Sequence, residues 1–228
     1  MDFPTLHDWD VSTAEARAIQ ERLAPRVVLR PLPRGIRLVA GADVAVDKPS
    51  GRVYAAVVVL TFPGLSVVEE AAAARPADFP YVPGLLTFRE GPAVLDAFRR
   101  LERRPDVVVF DGQGLAHPRR FGLACHVGLW LGLPAVGCAK SRLIGEHEEP
   151  GPGKGDWTPL TDGGQRIGTV LRTRDGVKPV FVSPGHLADF GSARRLVLDC
   201  CPRCRLPEPT RLAHTAVGRL KAAHGAGR

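Results

Sequence analysis

"IRLVAGADVAVDKPSGRVYAAVVVLTF", residues 36–62, is two runs of small and β-branched apolar residues on either side of DKPSG. Such residues fit a pleated, half-buried surface, and Pro-Ser-Gly is turn chemistry, so the stretch predicts a β-hairpin with arms at 36–46 and 52–62. Alternation along the first arm sends Leu38, Ala40, Ala42, Val44 and Val46 to one face. Asp43 goes to the other with Val39, Gly41 and Ala45, mid-strand in apolar company. A lone carboxylate there is costly unless a cation or hydrogen bonds compensate it. Asp43 is therefore a candidate functional residue, against the plainer alternative of a strand-edge position that reaches water.

Outward from the hairpin, LSVVEEAAAAR (65–75) reads as a third strand, with helix as its rival because of the alanines. STAEARAIQERL (12–23) opens on N-cap residues and predicts a helix, as does FREGPAVLDAFRRLE (88–102). DVVVF (106–110) is a short apolar strand of the kind buried on both faces. Residues 118–132 predict a helix with Pro118 in its first turn, and Ala124, Gly128 and Gly132 on one smooth face for packing on a sheet. PAVG (134–137) is a further strand, EHEEPGPGKGD (146–156) a mobile loop, and RIGTVLRT and KPVFV two more strands. Helices are expected near 185–199 and 208–224. The order implies one mixed α/β domain over residues 1–228, with no linker long enough to divide it.

With 31 basic and 24 acidic residues, the chain carries a formal charge of +7, which favours an anionic partner, nucleic acid before membrane. MDFPTLHDWD is acidic and lacks an apolar run, so no signal peptide is expected and a cytoplasmic protein is. The nearly uncharged FGLACHVGLWLGLPAVGCA (121–139) is long enough for a membrane span, yet its prolyl and glycyl content favours a buried helix followed by a buried strand. Five cysteines, an odd number, point to reduced thiols. CCPRC (200–204) contains a C-x-x-C, with His214 as a conceivable further zinc ligand, but the spacing is not that of a zinc finger and buried thiols are the preferred reading. No G-x-S-x-G or comparable nucleophile site suggests a serine or cysteine hydrolase.

Asp111 ends the strand at 106–110 and begins DGQGLAHPRR, and strand ends facing helix N-termini are where α/β sheets place ligands. Asp43, Asp111 and Glu90 come from different elements and could converge on Mg²⁺, which takes oxygen ligands and keeps waters for a phosphate to displace. Gly112 and Gly114 would let backbone N–H groups approach an anion. His117, Arg119 and Arg120 add donors, and Lys140 could balance charge near the metal. Before them, PYVPG (80–84) mounts Tyr81, one of only two tyrosines, on a loop stiffened by Pro80 and Pro83 and turned by Gly84.

GADVAV (41–46), PYVPGLLTFRE (80–90), DGQGLAHPRRFGLACHVG (111–128), GCAKSRL (137–143), GDWTPL (155–160), KPVFVSPGH (178–186) and RLPEPTRLAH (205–214) together resemble the endonuclease V family, over nearly all of the chain from about residue 36. CCPRC is where the chain looks least like that family. The resemblance implies an RNase H-like mixed five-stranded sheet flanked by helices, with additional C-terminal strands and helices. It implies Mg²⁺-dependent hydrolysis, with Mn²⁺ able to substitute, of the second phosphodiester bond 3′ to deoxyinosine in DNA, leaving a 3′-hydroxyl and a 5′-phosphate. Inosine-containing RNA is a further candidate partner, and nothing demands more than a monomer.

By the same resemblance, Asp43 and Asp111 match the metal-binding aspartates, Glu90 the active-site glutamate, and His214 and Lys140 the further catalytic-site residues. Tyr81 matches a wedge aromatic, carried with Pro80, Val82 and Pro83. Gly84, Leu86 and Gly112 are expected to wall the base pocket, and Gly114, His117 and Arg119 to hold phosphate. The rivals are another RNase H-like nuclease, such as a junction resolvase or ribonuclease H, which would need no wedge, and a non-catalytic nucleic-acid-binding module.

Overall fold

The computed structural model describes residues 1–225. Eight strands form one sheet in the order β3-β2-β1-β4-β5-β8-β7-β6. The expected hairpin forms: its arms are β1 (Leu38–Asp47) and β2 (Arg52–Thr61), paired antiparallel from Leu38–Thr61 to Asp47–Arg52 with Gly51 at φ +61° in the connection. β3 (Val67–Pro76) runs antiparallel along β2. Its alanines serve strand rather than helix because alternate ones meet opposite layers: Ala71 and Ala73 one, Ala72 and Ala74 the other. β4 (Val107–Phe110) and β5 (Ala135–Ala139) continue the sheet in parallel with β1. These five strands are the RNase H-like part. β8 (Val180–Pro184), β7 (Gln165–Leu171) and β6 (Trp157–Asp162) extend the same sheet antiparallel from β5.

α1 (Thr13–Leu23) starts at a capping box in which Ser12 and Glu15 satisfy each other's backbone N–H groups. α2 (Leu86–Arg99) and α3 (Leu123–Leu131) cover one face through Val94, Phe98, Val127 and Trp130. α4 (Phe190–Asp199) and α5 (Glu208–Gly225) cover the other through Leu196, Val197, Ala213 and Val217. Among the described residues no helix is long and apolar enough to cross a membrane. All five cysteines are free, four of them buried. Cys200 and Cys201 pack in the α4–α5 layer, and His214 turns instead toward Asp43.

Two expectations change. α3 begins at Leu123 with Gly122 as N-cap, five residues after Pro118. Residues 118–122 fold back instead, and a Cβ at Gly122 would sit 2.5 Å from the Gln113 carbonyl oxygen. The loop at 146–156 is tied down, because the mostly buried Arg172 donates to the Pro150 and Gly151 carbonyls and ion-pairs with Glu149.

One close approach sets the site. A Cβ at Gly41 would fall 2.0 Å from the Pro209 carbonyl carbon, so only glycine lets the first turn of α5 lie on β1. Gly41→Ala must push backbone rather than a flexible side chain. We expect it to destabilise the protein by about 2–3 kcal/mol in urea denaturation.

Candidate active site

Strand register brings the carboxylates together. Ala42 pairs with Phe110 across the parallel β1–β4 ladder, so Asp43 and Asp111 follow side by side. The Asp111 N–H donates to the Ala42 carbonyl at 3.1 Å, which fixes that step. Lys140 follows β5 directly and ion-pairs with Asp111. α5, lying close on β1, presents His214, whose Nδ1 is 2.7 Å from Asp43 Oδ2. Glu90 reaches the same place from the first turns of α2. All five line one cleft of about 440 Å³, together with Tyr81, Pro83, Gly84, Leu86, Gly112 and His117.

The electrostatics are those of crowded anions. Burial, then the charge of Asp111, raises the Asp43 carboxyl above its ordinary pKa, although the His214 hydrogen bond opposes this. Burial, then the charge of Asp43, raises Glu90 to about 7. Burial works against the Lys140 ammonium, but the hydrogen bond and charge of Asp111 outweigh it, so Lys140 is held firmly as a cation. The donor set is all carboxylate oxygen, and the charges of Asp111 on Asp43 and of both on Glu90 disfavour the anions there, which is the environment a hard divalent cation relieves. Among the described residues no three His, Cys, Asp or Glu side chains already stand in a metal-holding group. Lys140 and His214 instead engage Asp111 and Asp43.

At the other end of the cleft, Pro83 and Gly84 are the central pair of a turn closed by Leu85 N–H to the Val82 carbonyl at 2.9 Å, with Gly84 at φ +78°. That sign suits glycine at the third position of a type II turn. Phe79, buried against Phe88, anchors the loop, and Tyr81 stands 68% exposed. Val82 packs on the small cluster beneath, and Pro80 faces a separate recess of about 360 Å³. α2 has no side-chain N-cap, so its first N–H groups are left for the cleft at Leu86 and Thr87.

The three residues expected to hold phosphate have other partners. Gly114 is buried, its N–H donates to Ser183 Oγ at 2.7 Å, and it is absent from the cleft lining. His117 is driven by burial to a pKa of about 4 and is neutral. Its Nε2 meets the Gly84 carbonyl at 2.9 Å and its Nδ1 accepts the Arg119 N–H at 3.2 Å. Arg119 donates to the same Gly84 carbonyl at 2.8 Å. Missed altogether were Gln20 on α1, a third donor to that carbonyl, and Leu143, 46% exposed on the cleft wall. Nothing local in the sequence marks either one. Gln113, buried in the lining, bridges to the Ser141 carbonyl and keeps its Oε1 without a partner.

The chain matches the Endonuclease V family model over residues 21–215. It is 52% identical over 205 residues to Endonuclease V of Roseiflexus sp. (strain RS-1), covering 90% of this chain and 91% of that one. Its fold is similar to the crystal structure of Endonuclease V from Streptomyces avermitilis, with a TM-score of 0.91, 47% identity and coverage of 95% and 96%. It is also similar to Ciona intestinalis Endonuclease V, solved with DNA containing an inosine followed by a ribo-adenosine. There the TM-score is 0.81, with 25% identity over 92% of this chain and 98% of that one.

Proposed function

The chain belongs to the endonuclease V family, and from that premise we propose that it is a DNA repair endonuclease that hydrolyses the second phosphodiester bond 3′ to deoxyinosine. The observation that carries this reading is the joining, in one cleft, of the Asp43–Glu90–Asp111 carboxylates with the projecting Tyr81 loop. The inosine-containing DNA bound by the Ciona relative supports the substrate. A carboxylate site alone fits any RNase H-like nuclease, and an exposed tyrosine alone fits any binding surface.

Asp43 and Asp111 would hold Mg²⁺, with Mn²⁺ able to replace it, and Glu90 would complete the shell. When bound, the ion supplies Lewis-acid stabilisation of charge on the phosphate. His214 orients the water beside Asp43. Lys140, a fixed cation rather than a ready proton donor, stabilises charge developing on the leaving 3′-oxygen. Hypoxanthine differs from adenine in offering an O6 acceptor and an N1–H donor. The free N–H at Leu86 suits O6, and Gly84 and Gly112 allow the close walls that exclude guanine's 2-amino group.

Rotating a base out of a duplex costs a few kcal/mol, and Tyr81 offsets part of it by entering the stack. Stacking on one base is worth about 1–3 kcal/mol, so Tyr81→Ala should lower kcat/KM on paired duplex roughly 10- to 100-fold. Because the ring is largely exposed, Tm should not move. The direct test uses end-labelled duplexes carrying one deoxyinosine or an adenine control, with and without Mg²⁺. A single Mg²⁺-dependent nick at the second phosphate 3′ to inosine supports the reading. Equal cutting of both duplexes, or of neither, rejects it.

A further inference from the structure

Gln20 is 64 residues from the turn glycine Gly84 in sequence, yet its side chain is fully buried beneath that turn. Nε2 donates to the Gly84 carbonyl at 3.0 Å and to the Phe121 carbonyl at 3.4 Å, while Oε1 accepts Arg119 Nε at 2.5 Å. The Gly84 oxygen thus receives three donors, from Gln20, His117 and Arg119. A carbonyl has two lone pairs, so this one is saturated. No helix-forming or packing need of α1 calls for a glutamine at this point. Leu23 and Ala16 supply its other buried positions.

We propose that Gln20 is a positioning residue for base extrusion: it locks the Gly84 carbonyl and Arg119 together, and so holds the Pro83–Gly84 turn in the one orientation that aims Tyr81 into the duplex. The lock works through the loop and touches no reacting atom. A loose wedge would lose conformational freedom on insertion, and the lock removes that loss beforehand. Gly84 itself holds φ +78°, a conformation that side-chain-bearing residues rarely adopt, and a Cβ there would also crowd Arg119 Nη2 at 3.0 Å.

This inference rests on the proposed function, and its test separates the two. Gln20→Met keeps length and removes every hydrogen bond. Gln20→Glu keeps the shape and the contact to Arg119 but can no longer donate to Gly84. Both should lower kcat/KM on paired inosine duplex roughly 10-fold, the cost of leaving buried groups unpaired. Both should act within about 3-fold of wild type on the same inosine in an unpaired bulge, where little extrusion is needed. Hydrogen exchange of the 79–85 amides should quicken in both variants. A merely structural glutamine predicts equal losses on the two substrates. That result, or unchanged exchange in the loop, overturns the proposal. If wild type leaves inosine duplex uncut, the proposed function falls, and the exchange measurement alone decides whether Gln20 holds the loop. Should either variant fail to fold, Arg119→Met opens the same lock from its outer side.

Discussion

Asp43→Asn leaves the fold intact and lowers strand cleavage by about 10³-fold, a loss of the size seen when one preorganised electrostatic group is removed from a transition state. The substitution is nearly isosteric at a site that is 8% exposed, and the introduced amide would retain an oxygen within reach of His214 Nδ1. What disappears is charge. Asp43 and Asp111 stand side by side because of the β1–β4 register, and only ionised carboxylates would give that pair the affinity for a divalent ion that the proposed function requires. Stability should move the other way. Burial and the Asp111 charge already disfavour the Asp43 anion, so the neutral side chain relieves a repulsion. The expected result is therefore a nearly inactive protein whose Tm, at a pH where Asp43 of the wild type is ionised, equals or exceeds that of wild type. Single-turnover cleavage, thermal melts and binding to inosine duplex measure the three quantities. Cleavage within tenfold of wild type would remove Asp43 from the metal site, and a collapse in Tm would make it structural.

Much of this site was legible because strands make side-chain direction predictable. A period of two put Asp43 on a face with apolar Val39, Gly41 and Ala45, where a carboxylate is costly, and the end of DVVVF put Asp111 where parallel strands open toward ligands. The Pro and Gly pattern of residues 80–84 likewise gave the rigid turn, since it depends on backbone sterics alone. Partner choice was not legible. Arg119 and His117 look like phosphate donors by residue type, but whether a donor faces solvent or a carbonyl depends on what the fold brings beside it, here Gly84. Gln20 carried no signal, because its partners come from residues 84, 119 and 121. The start of α3 was misplaced because Pro118 suits a first turn locally, while the close contact of Gly122 with the Gln113 backbone defers the helix.

Glu90→Gln should expose the cost of keeping an acid ready in this cleft. The folded protein holds Glu90 at about 7, against an ordinary value of 4.5, chiefly by burial and then by the Asp43 charge. Between those two pH values the unfolded chain has released a proton that the folded chain still binds. Stability attributable to Glu90 therefore falls as pH rises through this window, by on the order of 3 kcal/mol at most, and stays low above it. Glutamine resembles the protonated acid and does not titrate. In metal-free buffer the variant should melt with wild type near pH 4.5 and well above it at pH 8, by several degrees for a chain of this size. Mg²⁺ should reverse the order of benefit at pH 8, raising the wild-type Tm while moving that of the variant less, because binding to the folded form alone adds stability. Cleavage should meanwhile drop by about 10²-fold or more. A variant that loses activity without gaining stability at pH 8 would mean that Glu90 is not the strained acid of this cleft. If it gains stability but keeps activity, the carboxylate is dispensable to the chemistry. The two readouts must move in opposite directions if the proposed function holds, because the burial and crowding that destabilise the free anion are what a bound divalent ion would relieve.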